Sequence, residues 1–127
     1  MIDVRWKNLI LFVLVSLCSA CAQPKQLYNF GDYNDSYYKY KKKSTPETRQ
    51  ALIKSIEKAI GEENKSLSGR VPPGMYANLG YMYLQDRNIQ KAISLFEKEK
   101  ETYPESVHFM DRLIVKVEKA EQREIQQ

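Results

Sequence analysis

Between Pro73 and Ser106, small and aromatic residues recur at intervals that leave the chain few ways to fold. Tyr76, Leu79, Gly80 and Tyr83 share one helical face, and Ala92 and Phe96 share another after a short break. Gly80 and Ala92 lack bulk where two antiparallel helices would approach closely, while Tyr83 and Phe96 fill the space between them. Pro104 disfavours helix at the residue before it and so stops the second helix. The spacing predicts a tight helical hairpin.

The same periodicity extends in both directions. Phe30, Tyr33, Tyr37 and Tyr40 recur at helical steps, with Gly31 near the start and Lys41, Lys42 and Lys43 at the end, where cations suit the helix dipole. Thr45 reads as an N-cap, with Pro46 as first helical residue and Glu47 in the first turn. Leu52, Ile53, Ile56, Ala59 and Ile60 follow on one face, and the pattern fades through Gly61 into a polar loop. Pro72, Pro73 and Gly74 restart the chain, Met75 and Met82 join the next stripe, and Asn88 caps the helix carrying Ile89, Ala92, Ile93 and Phe96. Val107, Met110, Ile114 and Val117 mark a fifth helix, expected to fray into the polar tail. No segment reads as a strand. The fold expected is all-α, a small antiparallel helical stack.

The matches at Tyr76, Leu79, Gly80, Tyr83, Ala92, Phe96 and Pro104 resemble a tetratricopeptide repeat over 73–106. A generic helical hairpin is the plainer alternative. Glu99 departs from the pattern, standing where the repeat has alanine. Only one clear repeat is visible; the helices from Tyr33 to Ile60 read as a degenerate copy, and the fifth helix as a cap. Three repeats are normally needed for a stable solenoid, so a stack this short leaves apolar surface for a partner.

Upstream, Arg5 and Lys7 precede an apolar run from Leu9 to Leu17, followed by Ser19, Ala20 and Cys21. That is the layout of an export signal, and the run is well short of the roughly 20 residues that a spanning helix needs. A small residue directly before a cysteine resembles the lipobox of bacterial lipoproteins, in which the cysteine receives lipid and the signal is cut before it. Cys18, where the lipobox has Leu, Val or Ile, is a departure, and Leu17 before it disqualifies Cys18 as the lipidated residue. The expected organisation is a signal over 1–20, a lipidated tether over 21–29 and a helical domain over 30–127. Cys18 and Cys21 form a C-x-x-C, but a zinc site wants four ligands and the chain has no other cysteine and one histidine, His108. With Cys21 consumed by lipid, no thiol chemistry is expected, and no cofactor or metal is expected beyond the covalent lipid. Ala22 and Gln23 follow Cys21 in place of the aspartate that resembles an inner-membrane retention signal, which favours the outer membrane; the periplasmic face is expected over the cell surface.

Net charge is +4, of which +3 stays with the mature chain, too mild for the field of a nucleic-acid binder. LYNFGDY, PPGMYANLGYMYL, FEKEKETYPES and MDRLI resemble, over nearly the whole mature chain, a bacterial lipoprotein family with no assigned activity. Its members are encoded beside a curli-secretion-channel-like lipoprotein and another small lipoprotein. The resemblance implies a shared envelope assembly, with neighbouring lipoproteins as partners, and makes Glu99 a feature of the family.

No acid–base pair, activated nucleophile or phosphate-cradling loop stands out, so an enzyme is not expected. His108 reads as a core-edge residue, and Glu97, Glu99 and Glu101, interleaved with Lys98 and Lys100, read as a solvated face. Helical-repeat grooves bind through the first helix of each pair, which points to Ala77, Tyr81 and Gln85, with Asn78 at the margin. Ala77 and Tyr81 stand where carboxylate-clamping repeats use Lys and Asn, so an aromatic contact at Tyr81 is the better expectation. Lys41 to Lys43 admit three readings: a solvated helix end, a contact with anionic headgroups, or nucleic acid, which export disfavours. The function expected is a protein–protein assembly module; the alternative is a peptidoglycan- or anionic-lipid-binding envelope protein. Replacing Cys21 by Ala is expected to abolish both acyl labelling and the processing shift on a gel, while Cys18→Ala leaves both intact.

Overall fold

A computed structural model describes residues 24–126. The expected leader 1–20, Cys18 and the lipidation residue Cys21 lie outside the described residues. Five α-helices follow one another: α1 Tyr33–Lys42, α2 Pro46–Gly61, α3 Met75–Gln85, α4 Ile89–Thr102 and α5 Val107–Ile125. Short 3-10 turns occupy Glu63–Lys65 and Pro104–Ser106, and no strand occurs among the described residues. The all-α expectation holds. None of these helices is long and apolar enough to cross a membrane.

Most helix ends are where local chemistry places them. Thr45 and Thr48 form a reciprocal capping box, each backbone N–H donating to the other's hydroxyl, with Pro46 in the first turn. Asn88 Oδ1 accepts from Lys91 N at 3.3 Å and starts α4. Between α3 and α4 the chain reverses in three residues, with Arg87 at φ 57°, closed by Arg87 N–H to Leu84 O and Asn88 N–H to Tyr83 O. The fifth helix departs from expectation. Rather than fraying after Val117 it continues to Ile125.

The order of contacts fixes the topology. Asn29 Nδ2 meets Glu62 and Lys58 meets Asp32 at 3.0 Å, so the start of α1 lies beside the end of α2. Arg49 near the start of α2 reaches Met82 and Asp86 at the end of α3. Lys98 lies over the Tyr76 ring and Lys91 over the Tyr83 ring, so α3 and α4 are antiparallel. Lys100 ties α4 to Asp111 of α5 at 2.5 Å. Helices α1 and α3, by contrast, run parallel. Tyr33 Oη accepts from Asn78 and Tyr40 Oη donates to Gln85, each pair 45 residues apart.

Two apolar clusters result. Leu52, Ile56 and Ala59 of α2 pack with Val71, with Met75, Leu79 and Met82 of α3, and with Leu95 of α4. Ala92 and Phe96 of α4 pack with Met110, Ile114 and Val117 of α5. Helix α1 has no fully buried residue and joins the first cluster through the partly buried Tyr33 and Tyr40. Residues 26–29, within the expected tether, are bonded to the body: Leu67 N–H donates to Gln26 O and Ser68 N–H to Leu27 O.

Gly80 sits at the tightest approach. A Cβ there would lie 2.7 Å from Phe96 Cε1 and 3.1 Å from the Ala92 carbonyl oxygen. Phe96 is fully buried and cannot swing aside. Alanine in a helix is favoured over glycine by about 1 kcal/mol, whereas overpacking a core costs about 1–3 kcal/mol. The clash is with a wall of ring and backbone, so overpacking wins. Gly80→Ala is expected to lower the urea midpoint despite its better helix propensity, and Gly80→Val to lower it further.

Candidate groove on the third helix

Helix α3 has no capping side chain of its own, no acidic residue in its first turn and no basic residue in its last. Its neighbours supply both. Glu99 of α4 is 3 % exposed, and its two oxygens accept from Gly74 N at 2.7 Å and Ala77 N at 3.2 Å. Those are the two N–H groups a capping box would satisfy, and a carboxylate there also complements the positive end of the helix dipole. At the other end Arg49 donates to the Met82 carbonyl at 2.5 Å and pairs with Asp86 at 2.8 Å. The expectation of a solvated acidic face therefore fails for Glu99. Glu97 pairs with Lys100 at 2.9 Å and Glu101 is exposed, as such a face requires. The signal was present in the sequence as a carboxylate at a position the repeat reserves for alanine.

Held at both ends, α3 distributes its outer residues over three directions. Ala77 and Leu84 lean on the cluster shared by α4 and α5. Asn78 and Gln85 turn the other way and bond the Tyr33 and Tyr40 hydroxyls of α1. Tyr81 stands between them, 50 % exposed. The four residues expected to bind a partner thus share one face, but Asn78 and Gln85 also brace α1. Beside Leu84 and Gln85 the surface opens into a cleft of about 580 Å³, floored by Ile89, Leu113 and Val117 and rimmed by Arg87, Lys116 and Glu121. Sequence reasoning missed this cleft because its two walls belong to helices about 30 residues apart.

The residues read as a repeat core divide by burial. Leu79, Gly80, Ala92 and Phe96 are buried, and Tyr76 and Tyr83 are half-buried. Pro104 is exposed and acts through the backbone, opening the 3-10 turn that follows α4. The burial at that corner comes from Tyr103, whose hydroxyl donates to Val71 O at 2.5 Å. Burial, followed by the neighbouring Tyr28, pushes the Tyr103 phenol well above its ordinary range.

Two further readings change. His108 is exposed on α5, not at the core edge; Met110 and, partly, Val107 take the inward positions. Lys41 to Lys43 are exposed at the far end of α1 from the tether, about 15 Å along a ten-residue helix. Lys41 lies over the Tyr37 ring at 5.6 Å. Among the described residues no three of His, Cys, Asp and Glu gather as a metal site would require.

A family model described as a domain of unknown function, DUF4810, matches residues 27–113. The chain belongs to this family. No curated protein and no solved structure matches it. The DUF4810 span begins at Leu27, takes in α1 to α4 and the first part of α5, and so contains both Tyr81 and Glu99. Removing the Glu99 carboxylate strands two N–H groups at the start of α3. Glu99→Ala is expected to cost about 2–4 kcal/mol in urea unfolding, because bonds to a charged group are worth about 1.5–3 kcal/mol each and do not add fully. Glu99→Gln, keeping one acceptor, is expected to lose about half of that.

Proposed function

We propose that this chain is a lipid-anchored docking module of the bacterial outer membrane, holding another envelope protein in the groove over α3. Lipid on Cys21 fixes it to the periplasmic face, and its work is binding, with no chemistry of its own. The anchor is supported by the apolar run from Leu9 to Leu17 and by Ser19, Ala20 and Cys21 after it. Partnership with a curli-secretion-channel-like lipoprotein and other neighbouring lipoproteins is supported only by the resemblance of the sequence motifs.

Two helical pairs with their first helices side by side support the tetratricopeptide-like reading. The separation of 45 residues between α1 and α3 exceeds the 34 of the standard repeat, and the longer loop 62–74 accounts for it. First helices of successive repeats line the inner surface of such stacks. On this reading α1 and α3 take that role, with α5 in the place of a third.

The observation that carries the proposal is Tyr81. A large aromatic, half exposed and one helical turn before Leu84 and Gln85 at the edge of the cleft, has the character of an interface anchor: much area, few rotamers to freeze, and a hydroxyl left to bond. A photo-crosslinking residue at position 81 is expected to trap one envelope protein in intact cells, while the exposed positions 57 and 118 trap none. Tyr81→Ala is expected to abolish the association and leave the unfolding midpoint nearly unchanged. Equal capture at all three positions would sink the groove, and cosedimentation with peptidoglycan or anionic vesicles that depends on Lys41 to Lys43 would favour the wall- or lipid-binding alternative.

A further inference from the structure

The chain carries a second exposed apolar feature, remote from the groove. Leu27 is 61 % exposed and Leu67 is 65 % exposed. The bonds from Leu67 N–H to Gln26 O, 2.9 Å, and from Ser68 N–H to Leu27 O, 3.1 Å, hold the two segments side by side. Rigid backbone thus presents two large aliphatic side chains to solvent at one edge. Their burial would stabilise the molecule, and no described residue covers them.

What covers them follows from where the chain goes next. Cys21 lies five residues before Gln26, so the edge stands within roughly 18 Å of it even if the link is fully extended. We propose that Leu27 and Leu67 seat this edge on the bilayer, dipping into the headgroup region beside the point of attachment. The seating rests on the reading that the membrane is reached through the residues preceding Pro24. Lys25 and Lys65 flank the leucines and suit phosphate at that depth, but Lys65 is paired with Glu62 at 2.8 Å and Lys58 with Asp32 at 3.0 Å. The grip is therefore apolar in the main and requires no anionic lipid.

The seat sets the posture of the domain. The tether edge lies at the start of α1, whereas the cleft by Leu84 and Gln85 lies at the end of α3, which runs parallel to α1. An eleven-residue helix is about 16 Å long, so the cleft opens on the side facing away from lipid. A tethered domain held in this way presents its groove to the periplasm and does not tumble.

The test uses the full chain extracted from its envelope and reconstituted into vesicles of brominated phosphatidylcholine. Tryptophan is placed in turn at position 67, at position 27, and at position 109, where Phe109 is 67 % exposed on α5. Leu67→Trp and Leu27→Trp are expected to show blue-shifted emission quenched by bromine, while Phe109→Trp, the processed chain having no tryptophan of its own, shows the red-shifted, unquenched emission of an indole in water. Flotation with vesicles but equal quenching at 67 and 109 would overturn the seating and leave the anchor and the groove standing. Failure to float overturns the anchor and the seating together. A blue shift without quenching means a second copy of the chain covers the leucines, and also overturns the proposal.

Discussion

The two ends of α3 are capped by side chains from other helices. Gly74 and Ala77 offer no oxygen to the first turn, and the last turn offers no cation; Glu99 and Arg49 supply these from α4 and α2. Each carries the sign of charge that the helix dipole calls for at that end. A helix of eleven residues has little stability alone in water, so α3 is helical because its neighbours make it so. The arrangement also fixes α3 in rotation. Gly80 must face Phe96, Leu79 and Met82 must face α2, and Tyr81 is left pointing outward.

That rotation links stability to the candidate groove. Asn78 and Gln85 are committed to the tyrosines of α1, a helix with no residue fully buried. The stripe from Phe30 through α1 therefore does two jobs: Phe30, Tyr33 and Tyr40 pack against the first cluster, and the Tyr33 and Tyr40 hydroxyls also bond α3. Breaking those bonds would open the wall of the groove on one side, while the side formed by α4 and α5 stays closed by Ala92, Phe96, Met110 and Ile114. The polar side is the adaptable one. Tyr81 thus stands exposed between one firm wall and one more polar wall.

Much of the fold was legible because helix signals are local. The Thr45 cap, Pro46, the Asn88 cap, the stop at Tyr103 and the apolar stripes on α2 to α5 each need only a few neighbouring residues, and they stand where periodicity and capping chemistry put them. Apart from the fifth helix, which runs on past its last apolar position, the misreadings involve residues whose surroundings the local pattern does not show. Glu99 looks like one member of an alternating charged run, but the start of α3 folds over it. His108 lies beside an inward position yet points to water. The segment 26–29 has the composition of a tether but is zipped to 62–68.

The sequence by itself determined that the chain is helical, where four of the five helices begin and end, and which apolar stripes of α2 to α5 turn inward, since backbone geometry and capping act over one or two turns. It also placed Ala77, Asn78, Tyr81 and Gln85 on one face, because residues spaced by three and four on a helix must share one. Only the tertiary structure decided which of them are free. Whether a side chain meets solvent, a hydroxyl or a buried N–H depends on segments 20 to 45 residues away, and no local pattern encodes what those segments bring.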